Sequence, residues 1–504
     1  MNGIGSATIR WVCLSDLHFG EEGSLLTARV PGTVTCAPEC PSAVMEQLVK
    51  CLEALLPDSL SPRPTLVLAG DALGLAVAPD NEAYMVLRCF LELTMKRPTP
   101  LFSRIVYIPG NHDHHVWETT RELEYSGRTL SKLGAGDRLP SVGHTTPAFE
   151  DPSQIGKGMT SQVLVALLGE VGVRDVDVTV AYPNYSIVAP GSPGRAVIFT
   201  HGHYMDDSYT EISRILRWAF PQTRFPERFE ELEQENFAYI DFIWSAVGRS
   251  GKVGDEIEYV WSSLQSEKLE DDLAGRLADG FVSAHNVPVV PDMWERAIDK
   301  ELILGLLKRF NPLRRQPTTQ VPGGGTVSGM KKFVLGPLAK QIGEERGQAE
   351  PPNENLPLGQ TVPPDLIVPP DLTLVFGHTH QPFAGTMTFG GSYPAALKVL
   401  NTGGWVLDGP QPKPEQGAAI LLLDEELNAA LIRMYNDGAG RAVVIEPGVP
   451  DPAFGGASGV APVAPNPLSE ALHAAINVQA DPWATFSETV ISESQTRRQV
   501  AVGS

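Results

Sequence analysis

Apolar residues in this chain gather into short unbroken runs, and five of those runs end abruptly in polar residues. The runs are Arg10–Ser15, Thr65–Ala69, Arg104–Pro109, Ala196–Thr200 and Leu372–Phe376, all rich in Val, Leu and Ile. Continuous apolar runs of this length predict strands buried on both faces. Directly after them stand Asp16-Leu17-His18, Gly70-Asp71, Gly110-Asn111-His112-Asp113, His201-Gly202-His203 and Gly377-His378-Thr379-His380. A sixth block, Asn401-Thr402-Gly403-Gly404-Trp405, follows the last of these. Five strands thus deliver polar clusters to one rim of a sheet.

Between these runs the pattern changes period. Helix is predicted over Trp117–Leu133 and near Ser161–Gly169, then a strand over Tyr182–Val188. The segment Tyr209–Phe310 has helical character, with apolar steps of three and four over Glu230–Val247 and Glu295–Phe310 and a shorter candidate at Leu269–Leu277. Asn311–Pro370 turns into Pro- and Gly-rich linker, and Ala418–Leu423 and Ala430–Met434 read as closing antiparallel strands. Beyond Pro447, Pro, Ala, Gly and Ser dominate, which predicts a disordered tail apart from a short helix around Leu468–Ile476. The resulting division is a core over 1–204 and 371–447, a helical insertion with linker over 205–370, and a tail over 448–504.

The residue types at the strand ends specify chemistry. Asp16, His18, Asp71, Asn111, His201, His378 and His380 offer carboxylate, amide and imidazole donors without a thiolate. That mixture suits Mn, Fe, Zn or Co better than a cysteine-bound structural zinc or an all-oxygen calcium cage. Seven donors exceed one tetrahedral site and suffice for two ions sharing a carboxylate, the arrangement used for displacement at phosphorus. The glycines before Asp71, Asn111 and His378 permit tight turns close to such ions.

These blocks, in this order, resemble the signature of the calcineurin-like metallophosphoesterases, over roughly half of the chain. The resemblance implies an α/β fold, a four-layer α-β-β-α sandwich of two mixed sheets, here with a helical insertion over the rim. It implies two divalent ions, Mn favoured. Asp16, His18 and His380 resemble the ligands of the first, Asp71 the bridging carboxylate, and Asn111, His201 and His378 the ligands of the second. His112 resembles the catalytic histidine at the leaving oxygen, and Asp113 is expected to hold its imidazole in one tautomer. His114 and His203 are candidate substrate contacts, with a solvated loop and simple packing as the alternatives. Asn401–Trp405 is similar to a motif of relatives that include UDP-2,3-diacylglucosamine hydrolases; a turn with a packed Trp is the alternative. The implied activity is hydrolysis of a phosphodiester, pyrophosphate or monoester on a small or lipid-linked substrate. A nuclease acting on nucleic-acid ends and a non-catalytic metal-binding scaffold are the other readings.

Composition narrows these. A net charge of −21 and a pI near 5.0 disfavour a nucleic-acid binder, because phosphate contact needs clustered Lys and Arg. No apolar stretch is long enough to span a bilayer and no signal segment precedes the first strand, so a cytoplasmic protein is expected. Five cysteines in 504 residues make no disulfide scaffold. Cys36 and Cys40, with Cys51, hint at a zinc site, but no CxxC pair completes it and free thiols are expected. Gly323–Lys331 lacks the Gly-Lys-Ser/Thr ending of a phosphate loop.

Overall fold

The computed structural model describes residues 9–147, 158–188, 195–246, 371–387, 397–407, 411–437 except 415, 443–446, 460–461 and 465–503. Its strands, in chain order, begin with β1 (Ile9–Leu14), β2 (Thr27–Arg29), β3 (Cys36–Pro41), β4 (Thr65–Ala69), β5 (Arg104–Ile108), β6 (Asp177–Val180), β7 (Asn184–Val188) and β8 (Arg195–Thr200). After the insertion come β9 (Asp371–Phe376), β10 (Phe383–Met387), β11 (Leu397–Asn401), β12 (Gly417–Asp424), β13 (Ala429–Asn436), β14 (Val444–Glu446) and β15 (Val460–Ala461). The helices are α1 (Ala43–Leu55), α2 (Asp80–Met95), α3 (His114–Glu124), α4 (Gln162–Glu170), α5 (Glu211–Ala219), α6 (Phe229–Tyr239), α7 (Pro467–Ala475) and α8 (Trp483–Gly503).

Two mixed sheets carry the fold. One runs β14-β13-β12-β1-β4-β5-β6 and the other β15-β10-β11-β9-β8-β7, while β2 and β3 form a separate ribbon. The strands buried on both faces divide their side chains by alternation. Leu66 and Leu68 of β4, Ile105 and Tyr107 of β5, and Ala196 and Ile198 of β8 join one apolar cluster, which also takes in the helices. Val67 and Ala69, Val106 and Ile108, and Val197 and Phe199 join a second cluster, which draws on both sheets. The sheets therefore face each other across this second cluster, and an uninterrupted apolar run is what two buried faces require. Helices cover the outer faces. In α1, Ser42 caps the first turn by accepting from the Met45 N–H, and Val44, Met45, Leu48, Leu52 and Leu55 form its buried stripe.

Parallel pairing aligns the strand ends. β1, β4 and β5 are neighbours running one way, and β8, β9 and β11 do the same in the second sheet. β8 and β9 are adjacent although 170 residues separate Thr200 from Asp371, so the chain leaves the sheet and re-enters beside its exit. Of the predicted insertion helices, Glu230–Val247 is seen as α6 and the π-helical turn Ile240–Ala246 that continues it, with α5 before them; Leu269–Leu277, Glu295–Phe310, the Asn311–Pro370 linker and Gly323–Lys331 lie outside the described residues. The predicted closing strands appear as the antiparallel pair β12 and β13. All five cysteines are free, Cys13, Cys51 and Cys89 buried, Cys36 partly buried and Cys40 exposed.

The expectation of a disordered tail is corrected in one part. The short helix is present as α7, but it is followed by α8, which packs on α1 and β13. Composition concealed a stripe: Trp483, Phe486, Val490, Ser494 and Arg497, at steps of three and four, are all buried. Arg497 donates to the carbonyls of Glu22, Ser24 and Thr27, and Arg498 pairs with Asp437 at 2.6 Å. Phe486→Ala should therefore cost about 3–5 kcal/mol in urea unfolding, as for other fully buried aromatics. A midpoint and slope unchanged from wild type would mean that α8 contributes nothing to the core.

Candidate metal centre

Each block of polar residues follows the end of a parallel strand, where the backbone leaves the sheet and its groups are no longer consumed by the ladder. The loops then bond to one another. Asp16 N–H donates to Gly70 O, His18 N–H to Asp71 O, Gly377 N–H to His201 O and Trp405 N–H to Asp16 O, at 2.9 to 3.0 Å. The backbone is left-handed at Asp16, His18, Asp71, His378 and His380, with φ between 48° and 66°. Leu427 is the one other non-glycine residue of that kind among the described residues. Such conformations cost about 1–3 kcal/mol each and persist where surrounding structure imposes them. Glycine would relieve the strain, but it has no donor atom to offer.

The side chains converge. His18 Nε2 lies 3.1 Å from His380 Nε2, which lies 3.6 Å from Asp16 Oδ1. His201 Nε2 lies 2.9 Å from Asn111 Oδ1 and 3.0 Å from Asp71 Oδ2, and the His201 and His378 rings meet edge to face at 5.1 Å. Asp71 Oδ2 is also 4.0 Å from His18 Nε2, so this carboxylate stands between the two sets. Asp16, His18 and His380 form one group able to hold an ion, and Asp71, His201 and His378 form another. Donors about 2.0–2.2 Å from a shared ion lie about 3 Å from one another, which is the spacing seen.

Two features fit an ion at this place. Asp16 Oδ2 and His378 Nε2 are buried without a hydrogen-bond partner, a costly state for polar atoms unless something else meets them. The backbone also closes on the donors: a Cβ on Gly377 would fall 2.0 Å from Asp16 Oδ2, and one on Gly70 2.2 Å from His201 Nδ1.

Electrostatics agree. Burial pushes the Asp71 carboxyl up, but His201 and other imidazoles override it and hold Asp71 well below the usual carboxylate range. Burial pushes His201 down, yet Asp71 raises its imidazole to about 9. A bound ion and a proton would compete for this imidazole nitrogen.

All seven expected donors lie at the rim, but three other assignments change. Asp113 does not orient His112. Its carboxylate accepts from Tyr107 Oη at 2.5 Å and from the backbone N–H groups of Gly110, Ala72 and Leu73, so it pins the Asp71 loop to the Asn111 loop. The partner of His112 is Glu21, whose Oε1 lies 3.1 Å from Nδ1. Glu21 carries no sequence signal of this role, since it follows His18 by three residues in a loop without periodicity.

His114 and His203 are neither solvated nor open to substrate. Both are buried; His114 Nε2 meets Glu233 Oε1 of α6 at 2.7 Å, and His203 Nε2 lies 3.2 Å from Tyr182 Oη. Tyr182 and Tyr204 both donate to the other Glu233 oxygen. Burial would lower His114, but Glu233 raises it to about 9. The pair fastens the insertion to the core.

Asn401–Trp405 is a brace. Asn401 Nδ2 donates to Thr379 Oγ1 at 2.8 Å and Gly377 O at 3.2 Å, while Trp405 is fully buried against Phe486.

The chain matches no family model, and no curated protein matches it. Among the described residues no helix is long and apolar enough to cross a membrane.

Chelation followed by Mn²⁺ loading and desalting should leave about two ions per chain. Asp71→Ala should lose metal at both groups and retain less than one ion, with its circular dichroism intact. Full metal content in Asp71→Ala, read by elemental analysis, would remove the bridging assignment.

Proposed function

We propose that this chain is a metal-dependent hydrolase of phosphate esters, built on the plan of the calcineurin-like metallophosphoesterases that its motifs resemble. The observation that carries the reading is the position of Asp71 Oδ2, 3.0 Å from His201 Nε2 and 4.0 Å from His18 Nε2, between two donor groups. The facing sheets, flanked by helices, fit the four-layer arrangement of that family. Mn is the favoured metal, with Fe and Zn compatible with the same nitrogen and oxygen donors.

Two divalent ions in such a rim supply a hydroxide at neutral pH and neutralise the charge of the phosphoryl oxygens. The chain's own residues supply the remainder. Asp16, His18 and His380 would hold one ion and Asn111, His201 and His378 the other, with Asp71 available to both. His112 is not needed for either set. Its N–H donates to Asp71 Oδ1 at 2.7 Å, which fixes the backbone beside the bridging carboxylate. Burial lowers its pKa, but Asp71 and Glu21 more than offset this and favour the protonated ring. As the P–O bond breaks, its electron pair stays on the leaving oxygen. The proton then passes from the imidazolium to that oxygen, leaving a neutral ring.

A small or lipid-linked substrate is the class that the motif resemblance implies. Tyr209 packs edge to face on His378 at 5.2 Å and against Trp244 at 5.0 Å, and Tyr209 and Trp244 are both buried, so they seat the insertion against this donor group. The five free cysteines fit a reducing compartment such as the cytoplasm.

With Mn²⁺ added, the protein should hydrolyse bis(p-nitrophenyl) phosphate or p-nitrophenyl phosphate, the preference separating diesterase from monoesterase. His112→Ala should keep both ions and lose about 10²–10⁴ in turnover on an ester with a poor leaving group. Absence of activity on either compound in the Mn²⁺-loaded protein would favour the non-catalytic scaffold, and preference for oligonucleotide ends the nuclease.

A further inference from the structure

We propose that Glu21 is a positioning residue that sets the tautomer and aim of two imidazoles at once, those of His18 and His112. The kinetic consequence rests on the phosphoester reading above; the geometric part does not. A single oxygen, Glu21 Oε1, lies 2.7 Å from His18 Nδ1 and 3.1 Å from His112 Nδ1. The two rings pack edge to face at 4.7 Å, so neither can turn without displacing the other.

An imidazole whose Nδ1–H donates to a carboxylate presents its Nε2 lone pair at the opposite end of the ring. For His18 that end faces His380 Nε2 at 3.1 Å and Asp71 Oδ2 at 4.0 Å, the interior of the first donor group. For His112 the same fixation leaves Nε2 as the nitrogen that carries the transferable proton. When that proton leaves with the departing oxygen, the ring becomes neutral and its Nδ1–H remains on Glu21.

Three features of the chain are arranged around this carboxylate. A Cβ on Gly74 would fall 2.1 Å from Glu21 Cγ, so the side chain occupies space that only glycine leaves. The loop closes on itself, with Glu21 N–H donating to His18 O and Ser24 N–H to Glu21 O, both at 3.1 Å. Arg497 of α8 then holds the next stretch of that loop through the carbonyls of Glu22, Ser24 and Thr27. Asp113, the next residue after His112, has its oxygens taken by Tyr107 and by backbone N–H groups.

The test uses full-length protein labelled with ¹⁵N-histidine, both metal-free and loaded with diamagnetic Zn²⁺. Long-range ¹H–¹⁵N spectra of the wild type should contain two exchange-protected Nδ1–H protons, assigned to His18 and His112 by His18→Gln and His112→Gln. Glu21→Gln should shift or lose both, and Asp113→Asn should keep them. Zn²⁺ affinity by calorimetry should fall about 10–100-fold in Glu21→Gln. Turnover should fall far more on alkyl than on p-nitrophenyl esters, because only the former need the proton.

If Glu21→Gln fails to fold, Glu21→Asp is read instead. Its shorter side chain cannot span both rings, so at least one signal should go. Both Nδ1–H signals surviving unshifted in the folded variant, or disappearing in Asp113→Asn alone, would overturn the proposal. A wild type without esterase activity whose two signals depend on Glu21 would overturn the phosphoester reading and leave the positioning role standing.

Discussion

Asp16 ties the two sheets together at the rim where the candidate metal donors gather, and the loops that carry several of those donors meet at that junction. Its N–H bonds to the β4 loop through Gly70, its carbonyl receives the Trp405 N–H, and its Oδ1 receives the His378 N–H at 2.9 Å. One residue is thus held by loops from the first sheet and from two strands of the second. Its carboxyl is fully buried, which raises its pKa against the opposing pull of His201 and His380. A buried carboxylate with an unpartnered oxygen is unfavourable alone. It becomes favourable when a cation occupies the space that the surrounding imidazoles enclose.

That arrangement explains where the strain lies. Five donors adopt left-handed backbone, and the strands behind them are among the most completely buried parts of the chain. A close-packed pair of sheets resists relaxation, so the rim can keep conformations that an isolated loop would abandon. Asp113 belongs to the same support. By accepting from the loops after β4 and β5 together, it holds Asp71 and Asn111 at fixed separation.

The insertion is joined to this rim through buried polar groups. Glu233 from α6 is met by His114, Tyr182 and Tyr204, and Asp241 lies 3.5 Å from His114 and 3.3 Å from His115. Such a network is satisfied only when insertion and core are both in place, since removal of any member leaves a buried polar group without its partner. Loss of α6 would therefore be felt at His114, two residues from His112.

The sequence by itself determined the strands and the donors. Unbroken Val, Leu and Ile runs ending in Asp, Asn and His can be read because burial on both faces and strand termination are local properties of the chain. It also held the α8 stripe of Trp483, Phe486, Val490, Ser494 and Arg497, which average composition hid and spacing shows. Tertiary structure alone decided the partners. Asp113 follows His112 directly, yet neighbouring residues in a tight loop point in different directions, and its carboxylate turned toward backbone N–H groups from β4. Glu21 reaches His112 across 91 positions because parallel strands place their loop ends side by side. His114 became buried because α6, more than a hundred residues later, supplied Glu233 to receive it, while His203 meets Tyr182 Oη, itself bonded to the same carboxylate. Which donor exists is written in the residue; which neighbour it meets depends on how the sheets bring distant loops to one rim.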